Sequence, residues 1–233
     1  MERGVHNPRD SHKGALAGAL GVAVDALLSG EAPPTATLLD TLTDLPLLLE
    51  RLLPRTACLR AFRLAAPYPT AANVQKSFRA AVGERLLAGT LEVQRVEIVY
   101  SLRRLQEALS NVFRYDGASY HLKAYCLGLT EVTPAMGGYL FDEADFVLGG
   151  YWTGVPPHNK PGLHCAGEPF RTFLMAYWDE IWPRGTPLNL GGRHDLSAIR
   201  DLALRLGLER TAWPEFVEQA RALDIGDGAP PLI

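Results

Sequence analysis

Between about residues 59 and 182 the hydrophobic period switches repeatedly between two and about 3.6, and that alternation narrows the folds open to this chain. Leu59-Arg60-Ala61-Phe62-Arg63-Leu64 alternates apolar and polar side chains and stops at Pro67, as a strand does. Asn73 to Ala88 repeats Val74, Phe78, Val82 and Leu86 every four residues, a helical rhythm that Gly89 ends. Val93 to Tyr100 returns to alternation, and Ser101 then caps a helix carrying Leu102, Leu105, Leu109 and Val112. Tyr120 to Leu127 reads as a strand, and Tyr139–Phe141 and Phe146–Leu148 read as a hairpin around Asp142-Glu143-Ala144-Asp145. Pro169 to Trp182 spaces Phe170, Phe173, Leu174, Tyr177, Trp178 and Ile181 as one helical stripe, with Pro183 expected to force its end. Strands and helices in turn predict an α/β fold, a mixed sheet flanked by helices, with its later strands antiparallel. Two further helices are expected near Leu196–Leu206 and Trp213–Leu223.

The residues before this block read differently. Lys13–Leu20 and Val22–Leu28 suggest two short helices, and Glu31-Ala32-Pro33-Pro34 suggests a boundary. Thr37 to Leu53 is dense in leucine. Pro46 interrupts it, so two helices or one kinked helix are expected, with Asp44 a cap and Pro46 in the first turn. The expected organisation is therefore 1–31, a helical linker 32–58, and an α/β domain 59–233.

Charge is the next constraint. The net charge is −3, yet residues 51–115 hold 11 basic and 4 acidic side chains, whereas residues 116–233 hold 9 basic and 15 acidic ones. Such a basic block either attracts an anion or an acidic partner, or pairs with the acidic remainder; pairing is the usual outcome. No stretch reaches the roughly 18 apolar residues of a membrane span, and the first residues lack a secretory core, so a cytoplasmic protein with no membrane partner is expected. Cys58, Cys126 and Cys165 are expected as reduced thiols. His158, His164 and Cys165 lack the tight paired spacing of a zinc site, so no metal and no cofactor are expected. A His164–Cys165 nucleophile is disfavoured because neighbours in a strand face opposite ways.

Glu2-Arg3-Gly4-x-x-Asn7-Pro8, followed by Leu16-Ala17-x-Ala19-Leu20-Gly21-Val22-x-Val24-Asp25-x-Leu27-Leu28, resembles the second half of the helix-turn-helix domain of Xre-like regulators. The resemblance implies DNA as a partner and a homodimer on a twofold operator. The family's earlier helices and the body of its recognition helix have no counterpart after Met1, so weak or absent operator binding is implied for these 233 residues. Asn7, Arg9 and Lys13 would then touch phosphates, which position a protein without reading sequence.

The second resemblance is to the phospholipase D superfamily, whose motif is His-x-Lys-x-x-x-x-Asp followed by a strand and a glycine pair. Tyr139 to Gly150 is similar to that strand, turn and strand, with Asp142 at the motif's acid position. The lysine and histidine positions are Gly137 and Ala135, which can neither attack nor neutralise phosphate, so no catalytic residue is implied. A non-catalytic sensor for a small-molecule effector is the expectation. Its pocket would lie at the strand ends, lined by Arg63, Tyr100, Lys123, Tyr125 and Trp152. The alternatives are a phosphodiesterase with a displaced site built on His121, Lys123 and Asp142, and a protein-interaction module docking through the basic block.

Overall fold

The structure is a computed structural model and describes residues 34–40, 44–63, 72–126, 137–148, 162–190 and 192–223. Nine strands among them form one sheet: β1 (Thr35–Leu39), β2 (Cys58–Arg63), β3 (Glu92–Val99), β4 (Tyr120–Cys126), β5 (Gly138–Phe141), β6 (Asp145–Leu148), β7 (Gly162–Ala166), β8 (Thr186–Leu190) and β9 (Arg193–His194). Their order is β1-β7-β6-β5-β2-β3-β4-β8-β9. β2, β3 and β4 run parallel, and every other pairing is antiparallel. The mixed α/β sheet expected from the alternating periods is therefore present.

Six α-helices flank it: α1 (Asp44–Leu52), α2 (Ala72–Leu87), α3 (Leu102–Arg114), α4 (Glu168–Arg184), α5 (Leu196–Arg205) and α6 (Trp213–Ala222). The helices α2 and α3 make the crossovers β2-α2-β3 and β3-α3-β4, and both pack on the same face, as crossovers of one hand between adjacent parallel strands must. Leu48, Leu52, Phe78, Val82, Leu105, Leu109, Ile199 and Phe216 share one apolar cluster there with Leu59, Ala61, Val93 and Val99 of β2 and β3. The opposite face is apolar only over its middle, where Phe62, Val96, Ile98, Tyr125, Leu140, Phe146 and Cys165 receive Leu174, Trp178 and Ile181 of α4.

Three local expectations need correction. Residues 35–39, read within a helical linker, are the edge strand β1, paired with β7 from Thr35↔Ala166 to Leu39↔Gly162. Pro33-Pro34 blocks helix just upstream and Thr35 and Thr37 are β-branched, so tertiary pairing decides this stretch. The helix expected from Asp44 does begin there. The strands β7, β8 and β9 were unforeseen, because Gly162-Leu-His-Cys-Ala and Thr186-Pro-Leu-Asn-Leu lack clean alternation. Finally, Pro183 lies inside the last turn of α4, which runs on to Arg184. Ser101 caps α3 as expected, its side chain accepting from the Arg104 amide. The two short helices expected within residues 1–31 lie outside the described residues.

Candidate functional site

Strand direction sorts the sheet into two ends. The parallel strands finish at Arg63, Val99 and Cys126, beside the start of β5 at Gly138, the end of β6 at Leu148 and the start of β7 at Gly162. In open α/β sheets this is where ligands bind. The resemblance motif straddles the sheet: Gly137 lies at this end, and Asp142 lies at the other, after β5.

The β5–β6 turn is built as the sequence suggested. Ala144 N donates to Phe141 O at 3.0 Å, and Asp142 and Glu143 take φ values of 49° and 63°. Two consecutive left-handed residues define a type I′ turn, which suits the twist of a hairpin but strains residues other than glycine. Side-chain bonds offset that strain. The Asp142 carboxylate accepts from Ala57 N at 2.9 Å and from Cys58 N at 2.6 Å, and Asp142 N donates to Cys58 O at 3.0 Å. Glu143 pairs with Arg60 at 2.9 Å and Arg171 at 3.5 Å. Asp145 pairs with Arg55 at 2.9 Å and with His164 Nε2 at 2.8 Å. The acidic turn thus ties the start of β2 to α4 and β7. Arg55 and Arg60 belong to the basic block and find their partners in the acidic remainder, the pairing expected of such a charge run.

At the other end, Gly138 lets β5 and β6 approach closely: a Cβ there would sit 2.2 Å from Val147 O. Gly137, at the motif's lysine position, is buried. Ala135, at the histidine position, lies outside the described residues.

Of the five residues expected to line a pocket, Tyr100, Lys123 and Tyr125 have described side chains. Tyr100 is 40 % exposed just beyond β3. Lys123 and Tyr125 face α4 and hold its C-terminus. Lys123 Nζ donates to Trp182 O at 2.7 Å and lies 4.7 Å from the Trp182 ring centre, while the Tyr125 hydroxyl donates to Ile181 O. These carbonyls belong to the last helical turn, which has no amides of its own to bond. The burial that accompanies this contact lowers the Lys123 pKa and raises that of Tyr125. Arg63 ends β2, but its side chain lies outside the described residues, as do Trp152, Asn7, Arg9 and Lys13.

The alternative trio is divided between two regions of the sheet. His121 and Lys123 share one face of β4, as their spacing predicts, and His121 Nε2 sits 3.6 Å from Glu92. Asp142 lies three strands away across β5, β2, β3 and β4, about 14 Å at ordinary strand spacing. His164 turns toward Asp145 while Cys165 is buried under α4, and His158 lies outside the described residues. Burial raises the pKa of Cys165 and of Cys126, keeping both thiols protonated. Among the described residues no cluster of three or more His, Cys, Asp or Glu has the geometry to hold a metal, and no helix is long and apolar enough to cross a membrane.

Sequence reading missed a buried ionic network behind the strand ends. Arg95 and Glu97 of β3 are 2 % and 1 % exposed and pair at 3.0 Å. Glu97 also pairs with Arg104 of α3 at 3.0 Å, and Arg104 with Glu107 at 2.9 Å. Burial opposes the Arg95 charge, but Glu97, Tyr120 and Tyr139 outweigh it, and the net shift keeps the guanidinium ionised. Burial pushes the Tyr120 hydroxyl up to about 12. Their i, i+2 spacing was the available signal: Arg95, Glu97 and Val99 alternate with Val96 and Ile98 in a strand buried on both faces.

No protein-family model matches the chain, and no curated protein matches it by sequence. Among solved structures it is similar to Nuc from Salmonella typhimurium, a phospholipase D family member, with a TM-score of 0.42 and 9 % identity over 66 % of this chain and 97 % of that one. It is similar to TrmBL2, an archaeal chromatin protein, with a TM-score of 0.42 and 12 % identity over 76 % of this chain and 62 % of that one. It is also similar to the phosphatidylserine synthase of Haemophilus influenzae, with a TM-score of 0.43 and 11 % identity over 81 % of this chain and 47 % of that one. All three are likenesses in chain path at low identity, and none bears on activity.

Proposed function

We propose that this chain is a cytoplasmic transcriptional regulator of the Xre-like class, whose phospholipase-D-like α/β domain senses a small effector and does not cleave phosphodiesters. One observation carries the reading. Asp142, the remaining member of the resemblance motif, commits its carboxylate to the amides of Ala57 and Cys58 at the start of β2. It therefore shapes a turn, and Ala135 and Gly137 occupy the motif's nucleophile and cation positions. Phosphoryl transfer needs a nucleophile and a cationic clamp on the phosphate oxygens, and neither side chain supplies one. DNA contact falls to Asn7, Arg9 and Lys13, a homodimer matches a twofold operator, and the effector belongs at the strand ends near Tyr100.

The test is hydrolysis of bis(p-nitrophenyl) phosphate by the purified chain, run beside a gel-shift series on genomic fragments. No turnover above the protein-free rate is expected, with only salt-sensitive, sequence-independent DNA binding. Turnover that His121→Ala abolishes would replace this reading with a displaced phosphodiesterase site. Nanomolar binding to one sequence would overturn the weak DNA contact.

A further inference from the structure

Two surface cavities lie among the C-terminal helices, and they differ in how their charges are satisfied. One, of about 600 Å³, is bordered by Phe113, Arg114, Asp116, His194 and Arg221. Most of its charges already have partners: Arg221 pairs with Glu218 at 3.1 Å and lies 4.9 Å from the Phe113 ring centre, and His194 pairs with Asp116 at 3.1 Å. The other, of about 500 Å³, is a groove between the outer face of α5 and the start of α6. Leu196, Arg200 and Leu204 recur every four residues along α5 and so share the face turned to the groove, while Ile199, Leu202 and Ala203 are buried beneath. Trp213 closes the far side, its ring stacked on Phe216 at 5.8 Å and 21°.

We infer that this groove binds a flat organic anion, an aromatic carboxylate being the chemical class it fits. Arg200 and Arg210 both line it, and neither has an acidic partner among the described residues. Asp201 is the one carboxylate among the lining residues, so the groove keeps a net positive charge. A guanidinium offers paired donors in the plane that a carboxylate accepts. Leu196, Leu204 and the half-buried Trp213 indole supply the apolar and aromatic surface for a ring. The volume is that of a small-molecule site. The inference stands on α5, α6 and the 3-10 turn Arg210–Ala212 between them, and is independent of the reading of the strand ends.

Isothermal titration calorimetry of the full chain tests it, with 1-naphthoate as the probe and the uncharged 1-naphthamide as its comparator. One-to-one binding of 1-naphthoate is expected, weakened about tenfold or more in the amide and in the double variant R200Q/R210Q. Both arginines are exposed, so the variant should melt with the parent by circular dichroism, and Arg221→Gln in the other cavity should leave the affinity unchanged. Absence of heat with naphthoate up to about 5 mM, equal binding of the amide, or indifference to R200Q/R210Q would each overturn the inference. An Asp/Glu-rich peptide that binds through Arg200 and Arg210 where naphthoate does not would overturn it in favour of a protein partner.

Discussion

Five of the described helices cover one face of the sheet and a single helix, α4, covers the other. The broad face buries ions. Arg95, Glu97 and Arg104 sit among leucines and valines, and each charge is tolerated only because another lies within about 3 Å. The narrow face is apolar and aromatic at its centre. Phe62 meets Trp178 edge-on at 4.9 Å, and Trp178 stacks on Trp182 at 5.0 Å. Its polar contacts lie toward the two ends of α4, where Lys123 and Tyr125 reach the last carbonyls and Glu143 joins Arg60 to Arg171. A face with five helices can surround a charge completely. A face with one helix keeps its polar contacts at the margin, where water shares the load.

The contrast is open to mutation. The largest loss is expected for Glu97→Ala, which strands the buried Arg95 guanidinium and leaves Arg104 with Glu107 alone. A destabilisation of about 3–5 kcal/mol in urea melts would follow, partly recovered when Arg95→Met is added. A loss below about 1 kcal/mol would mean water reaches the network, erasing the difference between the faces. On the α4 face, Leu174→Ala removes a buried aliphatic side chain and should cost about 2–4 kcal/mol, without the rescue by a partner change that marks the ionic face. Lys123→Met tests the margin. It deletes the bond to Trp182 O and the contact with its ring while keeping the stem, so about 1 kcal/mol is expected from thermal melts.

The smallest effect is one of pH. Burial pushes the Cys58 thiol up from its ordinary 9.0 to about 11. The folded state therefore favours the protonated form. Its contribution is complete below pH 9 and is lost as pH rises through 11. Iodoacetamide should label Cys58 more slowly than a free thiol at pH 8.5 and catch up toward pH 11; equal rates at pH 8.5 would show the thiol to be open to water.

Legibility in the sequence followed the same divide between local and distant causes. The helices α2, α3 and α4 and strands β3 and β4 carry their own periodicity, and the Asp142-Glu143 turn could be placed between Phe141 and Asp145 from pattern alone. The strands β1, β7, β8 and β9 are short, and it is their sheet neighbours that make them strands. Within the candidate site, the motif position of Asp142 was readable, but its bonds to Ala57 and Cys58 span 85 and 84 residues. Lys123 and Tyr125 were visible as polar residues near a strand end. That they serve a helix terminus depends on where α4 lands, which no local pattern encodes.

The direction of the three parallel strands also governs where this architecture can change. At one rim the chain turns within a few residues: 88–91 into β3, 115–119 into β4, and 142–144 within the hairpin. At the opposite rim 100–101 joins β3 to α3, and the sequence intervals 64–71, 127–137 and 149–161 separate the other neighbouring elements. Lengthening a tight turn would shift strand alignment, whereas lengthening an already long interval adds only slowly to its closure entropy. Insertions therefore cost least in those three intervals, while the acidic hairpin at the other rim keeps the strands in step.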